Sequence, residues 1–254
     1  MKQEVSRPSM LLLLSEPGRA LFELGMSYSY SKVYKSTKSG DGHPVMVLPG
    51  FMSSGGSTSY LRKHLKKIGY TVYDWGLGRN VGKLESLDLL IEKLEEIYAL
   101  TGEKISLIGW SLGGVFARQA AKAKPEMIQQ IITLGSPFAG LTEPNNIAWL
   151  YSLITGGKEV KDVDQAFLDD VPLPAPVPTT AIYSKEDGVV PWEMCLEKED
   201  ATHQNIRVRG SHIGLGVNMW VLSIIENRLK ETPKNWKKFK PSGFLSRTLF
   251  YPSN

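Results

Sequence analysis

The sequence predicts an α/β fold: a mostly parallel central sheet covered by helices on both faces, with a cap inserted at its carboxyl edge. Three observations predict it. Apolar runs of strand length alternate along the chain with stretches of helical periodicity. The runs are apolar at consecutive positions rather than at every second one, as strands buried on both faces require. One long segment, residues 138–178, breaks the alternation with helix-like and proline-rich sequence and no clear strand.

A chain of 254 residues with 42% hydrophobic content can bury one substantial core, and α/β folds of that size commonly form one unit. Thirty basic residues nearly balance 26 acidic ones, leaving a formal charge of +4. That charge is too small to recruit nucleic acid, and no arginine-rich face or aromatic-basic repeat argues otherwise. The single cysteine, Cys195, excludes an internal disulfide framework and a cysteine zinc site. The apolar run at 10–14 is short for a membrane span or a secretory signal, and Lys2, Glu4 and Arg7 before it mix both signs. The expected location is cytoplasmic, with peripheral membrane contact through the termini left open.

Residues 1–41 read as an N-terminal helical segment and linker. From Ser9 to about residue 34, Leu12, Leu13, Ala20, Leu21 and Leu24 recur near helical spacing, with Pro17-Gly18 as a break or kink. A helix packed on the globule is the plain expectation. A helix on a membrane surface, or over the mouth of the site, is the alternative.

The core, 42–229, opens with an apolar strand from residue 44 that ends at Pro49-Gly50. A flexible loop at 51–57 leads to a helix with Leu61, Leu65 and Ile68 on one face. A strand at 70–75 and a glycine-broken loop at 76–82 come next. Leu84, Leu87, Leu90, Ile91, Leu94, Ile97 and Tyr98 then mark an amphipathic helix at 83–100. Further strands are expected at 105–110, 131–135, 180–184 and 206–210, and a closing helix at 217–229. Within the cap, 147–154 reads as a helix, and the spaced prolines of 171–178 favour an extended strut. An apolar insertion of this length at the carboxyl edge suggests a cap lining an apolar pocket. The tail, 230–254, interleaves lysines with Trp236, Phe239, Phe244, Phe250 and Tyr251. It reads either as packed along the globule with its lysines in water or as lying on an anionic membrane surface.

The chain is organised around 105–114, where an apolar strand meets Gly109-Trp110-Ser111-Leu112-Gly113 and passes directly into a helix. Side chains at Gly109 or Gly113 would strike the neighbouring elements in so tight a turn, and Ser111 would be held in a strained conformation at its apex. A serine hydroxyl is a weak nucleophile until an oriented base takes its proton. Four histidines compete for that task. His43 precedes the first core strand, on the wrong side of the sheet. His64 lies in a charged helix where a solvated place is expected, and His203 sits in a polar connection. His212 follows the last strand in Gly210-Ser211-His212, at the carboxyl edge, and is the candidate base. The orienting acid should leave the preceding strand, where Asp187 abuts Gly188 and is preferred to Glu186. Two backbone donors should meet a developing oxyanion: the amide of Leu112, at the helix start, and that of Phe51, after Gly50.

These pieces resemble the α/β-hydrolase superfamily, and within it the lipases and esterases. The matching residues are Leu48-Pro49-Gly50-Phe51, Gly109-Trp110-Ser111-Leu112-Gly113-Gly114, Thr133-Leu134-Gly135-Ser136-Pro137-Phe138, Asp187-Gly188-Val189-Val190-Pro191 and Gly210-Ser211-His212. The resemblance implies hydrolysis of a carboxylic ester through an acyl-enzyme on Ser111, with His212 as base and then acid, Asp187 holding the imidazole, and no metal or other cofactor. It departs from many lipases in carrying Pro49-Gly50 where they carry His-Gly before the oxyanion donor. Three functions follow: hydrolysis of apolar acyl esters, lipids among them; acyl transfer to an alcohol or thiol by the same residues; and a non-catalytic binding module, disfavoured because Ser111, Asp187 and His212 are all present.

Overall fold

The computed structural model describes residues 5, 7–33, 40–139, 165–241 and 250–252. The order of elements is α1 (Met10–Val33), β1 (Pro44–Leu48), α2 (Ser59–Ile68), β2 (Thr71–Asp74), α3 (Glu85–Thr101), β3 (Ile105–Trp110), α4 (Leu112–Ala123), β4 (Ile128–Leu134), α5 (Gln165–Asp170), β5 (Thr179–Ser184), β6 (His203–Val208) and α6 (Met219–Leu229). The strands form one sheet in the order β2-β1-β3-β4-β5-β6, and every pair is parallel.

Consecutive apolar residues serve two cores because neighbouring strand positions face opposite sides. Val45, Val47, Ile108 and Ile132 pack with Leu61, Leu65 and Ile68 of α2 and with Val221, Ile224 and Ile225 of α6. Met46, Leu48, Leu107 and Ile131 pack on the other side against Leu90, Leu94 and Ile97 of α3 and Phe116, Ala117 and Ala120 of α4. Burying each of the larger side chains among them stabilises the fold by roughly 1.5–3 kcal/mol. Helix ends follow local chemistry: Gly69 and Gly102 close α2 and α3 in the left-handed conformation, and the Asn218 side chain caps α6.

Several boundaries differ from the sequence reading. β4 begins at Ile128, three residues before the apolar run, because polar Gln130 is buried and bonded to the carbonyls of Arg228 and Glu231. β6 begins at His203, which is therefore in a strand and not in the connection before it, and ends at Val208. α6 starts two residues later than expected, where Asn218 caps it. The predicted helix at 147–154 lies outside the described residues.

α1 departs most. It runs through Pro17-Gly18 without a break, and its apolar residues are not its packed face. Leu11, Leu14, Leu21 and Phe22 are 69–79% exposed, whereas Glu16 is 1% and Ser27 2% exposed. The helix docks by polar side chains because it lies over loops whose backbone N–H groups need acceptors. Among the described residues no helix is long and apolar enough to cross a membrane.

The described tail packs on the globule. Gln204 on β6 exchanges two hydrogen bonds with the backbone of Phe239, and Phe250 stacks on Trp220 at 3.5 Å. Phe239 and Tyr251 meet edge to face at 5.2 Å, and both join the core beneath α6.

Candidate active site

Ser111 ends the turn between β3 and α4 with φ 52° and ψ −123°, a backbone conformation that costs a non-glycine residue about 1–3 kcal/mol. The surroundings impose it. A Cβ on Gly109 would lie 2.3 Å from the Gly114 Cα, and one on Gly113 would lie 2.6 Å from the Leu48 and Pro49 carbonyl oxygens. The Ser111 N–H donates to the Leu134 carbonyl at 2.8 Å, fixing the turn to β4. Although Ser111 occupies the N-cap position of α4, its hydroxyl caps no amide and is left for other chemistry.

His212 and Asp187 come from the loops after β6 and β5, which are neighbours in the sheet. The Asp187 Oδ2 accepts from His212 Nδ1 at 2.6 Å, with both side chains buried. The other Asp187 oxygen accepts from the amides of Val189 and Val190 at 2.8 and 2.7 Å, so the carboxylate is held from both sides. With Nδ1 engaged as a donor, Nε2 is the nitrogen available to take a proton. Burial opposes charge on the imidazole, but the Asp187 and Glu16 carboxylates outweigh it, and the pKa of His212 lies above the ordinary histidine value. Gly135 lies directly behind this pair, its absent Cβ leaving room about 3 Å from His212 Nδ1 and Asp187 Oδ2.

Ser111 and His212 are linked through Trp110. The indole Nε1 donates to the His212 carbonyl at 3.0 Å, and the ring lies against Gly216. No hydrogen bond joins the Ser111 hydroxyl to the ring itself. The sequence shows Trp110 only as the variable position of the turn, so its role as a strut is visible in the structure alone.

The two residues proposed to supply amide donors share one apolar cluster. Leu112 is the first residue of α4, where an N–H has no partner within the helix. Phe51 packs into the same cluster as Leu112, with Val115 and Phe138. Gly50, just before it, approaches so closely that a Cβ there would meet the Ser111 Cβ at 3.2 Å. Buried Asn80 braces this loop: its Nδ2 donates to the Pro49 carbonyl at 2.9 Å, and its own carbonyl accepts from Met52 N–H at 2.7 Å. In the sequence Asn80 is one polar residue of a glycine-broken loop and carries no signal.

The other candidates fall elsewhere. His43 lies at the amino edge, between Asp41 at 2.6 Å and Ser106 at 2.9 Å. His64 is not a solvated side chain: it is 18% exposed, with Nε2 2.7 Å from Glu226. His203 bonds Asp200 and the Ala175 carbonyl. Glu186 is 38% exposed and pairs with Arg207, away from the imidazole. The described part of the cap makes apolar contacts there: Phe167 and Val171 pack with Leu112, Val115 and Phe138. Residues 171–178 form no strand, but neither are they the extended strut expected: the Leu173 N–H closes a turn on the Asp170 carbonyl at 2.9 Å, bends follow, and Val171, Ala175 and Val177 are buried against the globule.

Known proteins resemble this chain in sequence and in fold. A PGAP1-like alpha/beta domain family model matches residues 77–173, which include the Ser111 turn. A pimeloyl-[acyl-carrier protein] methyl ester esterase from Aliivibrio fischeri is 31% identical over 101 residues, 38% of each chain. The human serine hydrolase BPHL is 32% identical over 114 residues, 41% of this chain and 38% of its own. The chain thus spans under two fifths of the length of these relatives. Among solved structures, Aspergillus fumigatus lipase B superposes with a TM-score of 0.60 at 18% identity, over 79% of this chain and 55% of the lipase. The chain has the fold of the α/β hydrolases, and the proteins it resembles in sequence include an esterase and a serine hydrolase, with a lipase among those it resembles in fold.

Proposed function

We propose that the protein is a serine hydrolase cleaving carboxylic esters of apolar acyl groups. The observation that carries this reading is a buried Asp187–His212 pair, tied through the Trp110 indole to a strained serine whose hydroxyl is not used in helix capping. Ser111 Oγ attacks the ester carbonyl while His212 Nε2 takes its proton, and the oxyanion is met by the Leu112 and Phe51 amides. The tetrahedral species collapses, the alcohol leaves with the proton from His212, and the acyl group remains on Ser111. Water, deprotonated by His212, attacks the acyl carbon; collapse releases the acid and returns the proton to Ser111. Asp187 holds the imidazole in the tautomer that both halves use.

An apolar substrate is supported by the cluster of Phe51, Leu112, Phe138, Phe167 and Val171 beside the turn. A lipid ester is favoured within that class because every exposed residue of α1 from Met10 to Ser29 is uncharged, while Glu16, Arg19 and Glu23 turn inward. That outer face suits peripheral contact with a lipid surface. Replacing Leu11, Leu14 and Leu21 with Glu should abolish co-flotation with phosphatidylcholine vesicles and leave turnover of a short soluble ester intact. Unchanged flotation would remove this support.

The test of the activity is a fluorophosphonate probe applied to the wild type, Ser111→Ala and His212→Ala, followed by turnover of p-nitrophenyl esters of increasing acyl length. Labelling and turnover that need both residues are expected. Their absence in the wild type overturns the reading in favour of a binding module.

A further inference from the structure

α1 carries an unusual load for a terminal helix: its buried carboxylate, Glu16, ends on the loops of both Asp187 and His212. Glu16 Oε1 accepts from the backbone N–H of Gly188 at 2.8 Å and of His212 at 3.0 Å, and Oε2 accepts from Ile213 N–H at 2.9 Å. The side chain is 1% exposed. Gly188 directly follows Asp187, so a single carboxylate grips the residue after the acid and the backbone of the base. Arg19, one turn on, donates to Glu16 at 2.7 Å and to the Glu186 carbonyl at 2.7 Å, binding the acid loop a second time. Glu23 accepts from Ser211 N–H at 2.7 Å and from Asn218 Nδ2 at 3.2 Å, holding the rest of the histidine loop. The helix backbone comes equally close: a Cβ on Gly188 would lie 2.5 Å from the Leu12 carbonyl carbon.

We propose that Glu16 is a positioning residue, which fixes the Asp187–His212 pair from outside the sheet and adds its negative charge to the field in which His212 is protonated. The inference rests on the proposed hydrolase reading for its kinetic consequence, though not for its geometry. Two contributions follow from the same contacts. Three backbone N–H groups donate to one carboxylate, so the loops lose freedom together rather than singly, and the imidazole is pre-oriented for proton transfer. The carboxylate also favours imidazolium, the form His212 takes as Ser111 attacks. The groups facing His212 are Asp187 from the β5 loop and Glu16 from α1, with Arg19 partly neutralising Glu16 and Glu23 beside Ser211; Glu186 pairs with Arg207 nearby.

Glu16→Gln tests this. It keeps the shape of the side chain and one acceptor, and removes the charge. The expected result is a kcat lower by about 10- to 100-fold, up to the scale that a misplacement of about 1 Å costs a reacting group, with KM within about twofold. The acidic limb of kcat/KM should move to lower pH, since a less stabilised imidazolium titrates earlier. Arg19→Met leaves the Glu16 charge uncompensated and should move that limb the opposite way; it supplies the comparison should Glu16→Gln fold poorly. The His212 ring titration, followed by NMR, reads the same shift without any substrate. A wild type that neither labels nor turns over ester would overturn the hydrolase reading and leave the NMR shift as the test of Glu16. An active wild type whose His212 titration and kcat are unchanged in Glu16→Gln overturns the positioning role.

Discussion

Removing the Glu197 carboxylate should destabilise the protein far more than removing it together with its partner. Arg118, on the inner face of α4, and Glu197, after β5, are each 1% exposed and directly bonded. Arg118 also donates to the Leu173 carbonyl at 2.7 Å and lies 3.9 Å over the Phe138 ring. Burial lowers the pKa of Arg118 and raises that of Glu197 despite their mutual attraction. Both directions say that desolvation exceeds what the pair regains, so the pair by itself adds little net stability. In Glu197→Ala the guanidinium stays buried without its counter-charge, which costs about 3–5 kcal/mol. For a chain of this size that is a fall in melting temperature of roughly 6–20 °C. Arg118→Met combined with Glu197→Leu removes both charges at similar volume and should recover most of the loss. The assay is thermal unfolding by circular dichroism of the wild type, the single and the double variant. A single variant melting within about 2 °C of the wild type, or a double variant no better than the single, would refute the reasoning.

Other perturbations follow from the same coordinates. Because the pKa of His212 is raised and its neutral form is the base, activity should fall on acidification from a pH above the ordinary histidine value of about 6.5, as a kcat/KM profile would read. In stability the same shift has the opposite sense: the Asp187 contact contributes fully below about pH 6.5 and is lost as pH rises through the folded-state pKa. Ser111→Gly, which relieves the positive φ, should abolish probe labelling yet stabilise the fold by about 1 kcal/mol, measured by denaturant titration. Gly113→Ala must displace the Leu48 and Pro49 carbonyls; a loss of about 1–3 kcal/mol together with reduced turnover is expected, and an enzyme as active and stable as the wild type would contradict the geometry. Burial pushes the Cys195 thiol well above its usual range, so iodoacetamide should leave the native protein unmodified and label it only after unfolding, by mass spectrometry.

Much of this molecule is legible without coordinates. The parallel sheet follows from apolar runs such as 44–48 and 105–110, because a strand buried on both faces must be apolar at consecutive positions. The Ser111 turn follows from glycines whose side chains have nowhere to go, and the pairing of Asp187 with His212 from chain order and the carboxyl edge of the sheet. These are local signals: each depends on a residue and its near neighbours in the chain. What only the tertiary structure decides are contacts between polar groups distant in sequence. Leu12, Leu13, Leu21 and Leu24 state that α1 should bury its leucines, and nothing in its sequence reveals that the backbone of 188 and 211–213 lies unsatisfied above the sheet. Glu16 and Glu23 are inside because those N–H groups require acceptors, and the leucines are outside as a consequence. Asn80, Trp110 and the Arg118–Glu197 pair are hidden from the sequence in the same way. Hydrophobic periodicity reports which residues leave water, whereas hydrogen-bond need depends on the donor that the fold brings opposite, and a single chain read in order does not contain that donor's position.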